Sequence, residues 1–181
     1  MSSGPFIVTE RLILRPPVKD DLDGFSTFNG DEESMRFLGG TISRAESWRV
    51  LCAIAGSWQI EGYAFFSCVL RDTGQWIGRV GPWQPEGWPG TEVGWGILRE
   101  YGGKGLASEA AEAAIEFAFA QLGWSEVIHT IDPANAGSIA VARKLGAVNR
   151  GPTHLPQPFQ NARVDAWGQS AEQWAARKQQ A

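Results

Sequence analysis

The sequence predicts a mixed α/β layer domain, and three features carry that prediction. Strand-like runs come before helix-like ones in the first half and alternate with them in the second, as in a sheet with helices packed on it. A glycine-rich segment, Gly102-Gly103-Lys104-Gly105-Leu106-Ala107, joins the strand-like run Glu92–Ile97 to a helix-like run starting near Ser108. The chain is 181 residues long, enough for one domain with a real core. No internal repeat, linker or boundary interrupts it, so a single domain over 1–181, with its core at about 9–167, is expected.

Thr9 to Arg15 alternates, with Leu12 and Leu14 on one face and Arg11, Ile13 and Arg15 on the other. That is a half-buried strand, and Pro16-Pro17 ends it. Asp20 to Phe28 reads as a short helix, with Leu22 and Phe25 three apart. Ser43 and Glu46 have the spacing of a capping box. Trp48, Leu51, Cys52 and Ala55 follow at helical spacing, and Gly56 is the expected stop. Tyr63–Leu70 and Gln75–Val80 read as strands joined by a hairpin turn at Asp72-Thr73-Gly74. Gly81 to Gly90 is so rich in Pro and Gly that it reads as a loop. Thr91–Leu98 is the next strand, with Gly94 marking a bulge or a close backbone approach.

After the glycine-rich segment, Ala110, Ala113, Ala114 and Phe117 form an apolar stripe. Glu109, Glu112 and Glu116 form the opposing face, and the early acids complement the helix dipole. Gly123 follows the helix. Val127–Ile131 reads as a central strand. Ser138–Leu145 reads as a short helix stopped by Gly146. Val164–Trp167 is a late strand. The tail from Ser170 reads equally as an amphipathic helix or as frayed chain.

The net charge of −4 argues against nucleic acid or an anionic membrane as the main partner and suits a cationic acceptor. No apolar run is long enough to span a bilayer and no signal-peptide pattern opens the chain, so a cytoplasmic protein is expected. Cys52 and Cys68 are too few for a disulfide framework or a zinc site; two buried free thiols and no metal are expected. Nine tryptophans imply packing in the core and on strands, with a few left to line a groove.

Little side chain obstructs Gly102 to Ala107, so several backbone N–H groups can point at one anion. The helix that follows adds its unpaired N-terminal N–H groups and the positive end of its dipole. This describes a diphosphate cradle. The P-loop pattern fails because Leu98 stands at its first glycine and Gly105 follows Lys104; the Gly-x-Gly-x-x-Gly pattern fails at Ser108. Gly103-Lys104-Gly105-Leu106-Ala107-Ser108-Glu109-Ala110 instead resembles the pyrophosphate loop of the GNAT superfamily of N-acetyltransferases, in its RimJ/RimL-like branch. Gly102 stands where that branch has Gln, Arg or Trp. The Thr9-Glu10-Arg11-Leu12 opening is similar to that branch too. So is Asn135-Ala136-Gly137-Ser138-Ile139-Ala140-Val141-Ala142-Arg143-Lys144-Leu145-Gly146-Ala147. Asn and Ser are good capping residues, so their side chains sit where a helix begins after a strand, a usual ligand position in open α/β sheets.

The resemblance covers Thr9 to about Trp167. It implies a twisted mixed sheet with helices on both faces, open where two parallel strands splay, and acetyl transfer from acetyl-CoA to an amine. It implies cofactor contacts at Gly103, Lys104, Gly105, Leu106 and Ala107 for the diphosphate, at the backbones of Ile97 and Leu98 for the pantetheine arm, and at Asn135 and Ser138. It implies Glu92 as base, with His129 as a second candidate. The thiolate acid of many such enzymes is a Tyr at the place of Ala142, which leaves Ser138 for that role. The Trp83/Trp88 segment is expected to wall the acceptor groove, or else to pack on a second copy or on the protein's own core; a homodimer is compatible with it. Three functions follow: an N-acetyltransferase for protein N-termini or small amines, an antibiotic or polyamine acetyltransferase, and a catalytically silent CoA-binding module. Fold alone does not choose the acceptor.

Overall fold

Strands β1 (Ile7–Val8), β2 (Leu12–Arg15), β3 (Phe66–Leu70), β4 (Trp76–Trp83), β5 (Glu92–Ile97), β6 (Glu126–Ile131), β7 (Val148–Thr153) and β8 (Val164–Ser170) form one sheet in the computed structural model, which describes residues 4–179. Their spatial order is β1-β2-β3-β4-β5-β6-β8-β7. Each neighbouring pair is antiparallel except β5 and β6. The helices are α1 (Leu22–Gly30), α2 (Glu32–Met35), α3 (Arg44–Ile60), α4 (Leu106–Ala120), α5 (Ala136–Lys144) and α6 (Ala171–Lys178). The two ends of the expected 1–181 domain, residues 1–3 and 180–181, lie outside the described residues.

Cross-strand rows assign the faces. Ser67, Arg79 and Gly96 are paired in succession across β3, β4 and β5. This row faces α1: Ser67 Oγ donates to Asp21 just before α1, and a Cβ on Gly96 would lie 2.6 Å from the Phe28 ring. The next row, Phe66, Val80 and Trp95, faces the other way, with Phe66 against Phe117 of α4. Helices therefore cover both faces. Ala110, Ala111, Ala114 and Ala118 are fully buried, so α4 sits close against β4 and β5.

Several expectations need correction. The capping box at Ser43 and Glu46 forms, but α3 runs through Gly56 to Ile60. A helical glycine costs about 1 kcal/mol, whereas burying a large apolar side chain returns about 2–3 kcal/mol. Trp58 lies just beyond Gly56, buried and hydrogen-bonded to Phe65 O. The buried face is Ser47, Leu51, Ile54 and Trp58, rotated from the expected stripe. Cys52 is therefore exposed, not buried, while Cys68 is buried as expected.

β4 continues through Gly81-Pro82-Trp83, which read as loop. Leu98 N–H donates to Ile77 O, so odd-numbered β4 residues turn their polar groups to β5 and Pro82 turns toward β3. The β3 pairing ends at Phe66–Val80, and the N–H that Pro82 lacks forfeits no ladder bond. Gly94 marks no bulge, because the β4–β5 register is regular. What approaches it is a side chain: a Cβ there would lie 3.0 Å from the Phe65 ring. The bulge is at Cys68/Val69.

β1 and β7 carry no alternating pattern and escaped the sequence reading. The tail from Ser170 is a helix, capped by Ser170 with Gln173 and anchored by buried Trp174, whose Nε1 donates to Glu116.

Candidate active site

β5 and β6 run parallel but pair in register only at Glu92–Ile128. Ile128 N–H donates to Thr91 O, and beyond that point side chains replace the ladder. Glu92 Oε1 accepts from Thr130 N–H at 3.1 Å, and His129 Nδ1 donates to Val93 O at 2.6 Å. The strands then splay, as a mixed sheet of this kind was expected to do. Strand alternation turns Trp95 and Ile97 toward the opening and Leu98 toward β4. Leu98 N–H is taken by Ile77 O and its C=O by Tyr101 N–H. Leu98 is therefore withdrawn as a backbone contact for the pantetheine arm. Trp95, which the sequence reading missed, joins Ile97 as the free edge.

Glu92 is 6% exposed. Its carboxylate also accepts from Thr130 Oγ1 and Trp88 Nε1. Burial pushes the carboxyl up to about 7, against the opposing effect of these hydrogen bonds and of Arg79. His129 is 1% exposed, and burial pushes its imidazole down to about 4. Its Nδ1 carries the proton given to Val93 O; Nε2 is buried without a partner among the described residues. It packs on Trp95, ring centroids 4.7 Å apart.

These two buried groups pull stability in opposite directions with pH. Glu92 rises from 4.5 to about 7 on folding, so its contribution is full below pH 4.5 and is lost as pH rises to 7. His129 falls from 6.5 to about 4, so its contribution is present above 6.5 and is lost as pH falls. Relative to Glu92→Gln, the parent protein should lose about 3 kcal/mol between pH 4.5 and 7. Urea unfolding of both proteins at four pH values measures this. A constant difference would show that Glu92 does not titrate upward.

At the C-terminal end of β5 a 3-10 turn, Arg99–Tyr101, leads into Gly102 to Gly105 and then α4. Gly103 and Gly105 have φ of +72° and +77°, values that disfavour any side chain but Asn or Asp. α4 starts at Leu106, two residues earlier than expected, with Gly105 as a cap that supplies no side-chain acceptor. The N–H groups of Gly103, Lys104, Gly105, Leu106 and Ala107 thus form a run without loop partners among the described residues. Behind them Arg11 Nη1 donates to Lys104 O, and Arg11 Nε pairs with Glu109 Oε2 at 2.7 Å. Thr9 Oγ1 and Arg11 N–H donate to Glu109 Oε1. Partial burial alone would raise the Glu109 carboxyl; these hydrogen bonds hold it below its ordinary value. This clamp on the loop also escaped the sequence reading, which gave Glu109 only to the helix dipole. A cavity of about 690 Å³ lined by Arg11, Lys104, Gly105 and Glu109 reaches the loop from outside α4, but touches no residue of β5.

α5 begins after β6 at the same end of the sheet. Asn135 caps it, Oδ1 accepting from Ser138 N–H at 3.0 Å, and its Nδ2 has no partner among the described residues. Ser138 is half-buried. Ala142 is fully buried and offers no acid. Glu92, Thr130, Trp88, Trp83, Phe65 and Arg79 share the α1 side of the sheet; the glycine loop, Asn135 and Ser138 gather at the splayed end. Among the described residues no group of three His, Cys, Asp or Glu is placed to hold a metal ion, and no helix is long and apolar enough to cross a membrane.

Residues 11–148 match the profile of the acetyltransferase (GNAT) domain. The uncharacterised N-acetyltransferase YnaD of Bacillus subtilis is 28% identical over 145 residues, which is 80% of this chain and 84% of YnaD. The crystal structure of an acetyltransferase from Agrobacterium tumefaciens superposes with a TM-score of 0.79 at 28% identity, over 92% of this chain and 95% of that one. A ribosomal-protein-S5-alanine acetyltransferase from Vibrio fischeri shares the fold at TM-score 0.70 and 19% identity, over 94% and 99% of the two chains.

Proposed function

We propose that this chain, which belongs to the GNAT acetyltransferase family by its match over residues 11–148, moves the acetyl group of acetyl-CoA to a primary amine. The observation that carries the reading is the unpartnered N–H run from Gly103 to Ala107 at the start of α4, beside the splay. In this reading those groups bind the diphosphate. The free edge of Trp95 and Ile97 pairs with the pantetheine arm, and Asn135 and Ser138 bound it on the α5 side. The amine nitrogen attacks the thioester carbonyl directly. A backbone N–H of β5 steadies the oxyanion, the C–S bond breaks, and the thiolate takes a proton from Ser138 Oγ or from water.

Glu92 is the proposed base. A carboxylate with a pKa near the working pH is well matched to proton transfer, and burial supplies that shift. His129, held down near 4 with one nitrogen committed to Val93, is the weaker candidate. The acceptor is a protein N-terminus or a small amine, and the compartment the cytoplasm. The second reading, a CoA-binding module without turnover, draws on one observation: buried Ala142 at the place of the expected acid.

The test has two parts. Acetyl-CoA at a hundredfold excess over its dissociation constant should add about 2.7 kcal/mol to apparent stability. Thiol release should then appear with at least one amine in a panel of N-terminal peptides, lysine, polyamines and aminoglycosides. Stabilisation without thiol release selects the silent module; the absence of both stabilisation and thiol release removes both readings.

A further inference from the structure

The last turn of α3 and the chain between β4 and β5 enclose a second cavity, of about 400 Å³, within the range of small-ligand pockets. Its aromatic walls are Tyr63, Trp83 and Trp88, and its charged groups are Glu61 and Glu86; no Lys, Arg or His lines it. Neither carboxylate has an ion-pair partner among the described residues. α3 ends here, with Glu61 N–H turned back to Ser57 O. The cavity therefore faces the negative end of a seventeen-residue helix. Burial first, and the Glu61 carboxylate second, push the Tyr63 phenol above its ordinary value.

The cavity abuts the proposed base. Trp83 pairs across the strands with Glu92, and Trp88 Nε1 donates to the Glu92 carboxylate. Trp83 is itself held by stacking on Phe65, centroids 5.1 Å apart. Three features of this pocket favour the same kind of guest. Indole and phenol faces attract cations, two unpaired carboxylates attract them, and a helix C-terminus attracts them.

We propose that this pocket takes a second positive group of the acceptor, an ammonium or guanidinium at the far end from the amine that reacts at Glu92. This narrows the acceptor class and rests on the transfer reading above. The same chemistry is offered by a free diamine or by a peptide with a basic residue behind its N-terminal one. An acceptor carrying an anion would instead turn to Arg79, whose guanidinium lies over the Phe65 ring at 4.6 Å and does not line the pocket.

Two measurements test it. In the first, without acetyl-CoA, 1,4-diaminobutane and tetramethylammonium are titrated against tryptophan fluorescence, with butyrate as the anionic control. Saturable change with the cations alone, weakened about tenfold in the Glu61→Gln/Glu86→Gln variant, is expected. In the second, kcat/KM is compared for 1,4-diaminobutane against n-butylamine, for the peptide Ser-Lys-Ala against Ser-Ala-Ala, and for 4-aminobutyrate. The dicationic member of a pair should lead by about tenfold, and the double variant should cut that ratio by a similar factor. The pair showing the larger ratio identifies the source. Equal rates within both pairs, a ratio untouched by the double variant, or a preference for 4-aminobutyrate overturns the proposal. Cation binding without acetylation of any amine leaves the pocket standing and removes the transfer reading instead.

Discussion

Glu92→Gln is expected to lower kcat/KM for the best amine by about 10²–10⁴-fold at pH 8, the range for loss of a positioned base. Gln keeps the volume but not the two acceptor oxygens. With Trp88 Nε1 on one side and Thr130 N–H on the other, one donor must then face an amide NH₂. That mismatch costs about 1–3 kcal/mol, set against relief from burying a charge. The fold should therefore survive, which the acetyl-CoA stability shift checks independently of turnover. The pH profile gives the sharper result. In the parent protein kcat/KM should rise about a hundredfold per unit at low pH, where carboxyl and amine both titrate, and about tenfold per unit above a bend near 7, where the buried carboxyl ionises. An α-amino acceptor adds its own bend near pH ~8. Gln should erase the first bend and keep the second. A variant with parental turnover and an unchanged profile would falsify the assignment of Glu92 and leave deprotonation to solvent.

What the sequence made legible, and what it hid, follows from the range of each interaction. The glycine loop was legible because its cause is local: Gly103 and Gly105 hold left-handed conformations, and the spacing that provides them lies within six residues. Trp88 sits four residues from Glu92, so that contact was within reach of a sequence argument. Thr130 is 38 residues away and was not. The phase of α3 was hidden for a related reason. Leu51 belongs to both the expected and the observed stripe, and only the surface α3 packs on, chiefly α1 with Phe66 of β3 under Trp58, decides that Ile54 and Trp58, rather than Cys52 and Ala55, turn inward. β4 hid its end because Pro82 is harmless only where β3 has already stopped pairing. The β5 edge proposed for the pantetheine arm held a lesson available in advance. Adjacent residues of a strand turn their N–H groups to opposite sides, so Ile97 and Leu98 could not both have faced the opening.

Gly105→Asp should weaken the proposed acetyl-CoA binding about a hundredfold while leaving the fold nearly as stable. Gly105 has φ +77° and caps α4. A left-handed conformation costs most residues about 1–2 kcal/mol, but Asp is among the few that visit it. A carboxylate at a helix N-terminus returns about 0.3–1 kcal/mol. A Cβ there meets nothing closer than Arg11 Nη2 at 3.6 Å, so the side chain has room. The net change in stability should stay within about 1 kcal/mol. Binding is another matter, because the new anion, even where it also pairs with Arg11, adjoins the N–H run proposed to hold the diphosphate. Two unit charges about 4 Å apart repel by about 4 kcal/mol near a protein surface, so roughly a hundredfold loss of affinity is a restrained expectation. At a ligand concentration that stabilises the parent by about 2.7 kcal/mol, the variant should then gain only about 0.4 kcal/mol. Gly105→Asn separates charge from bulk, since it matches Asp in size and conformational range but carries no charge. If Asp alone loses the thermal shift, electrostatics at the N–H run accounts for the binding. If Asp and Asn lose it alike, the loop excludes side chains by shape; and if both keep it, the diphosphate is held by other groups than the amides ahead of α4.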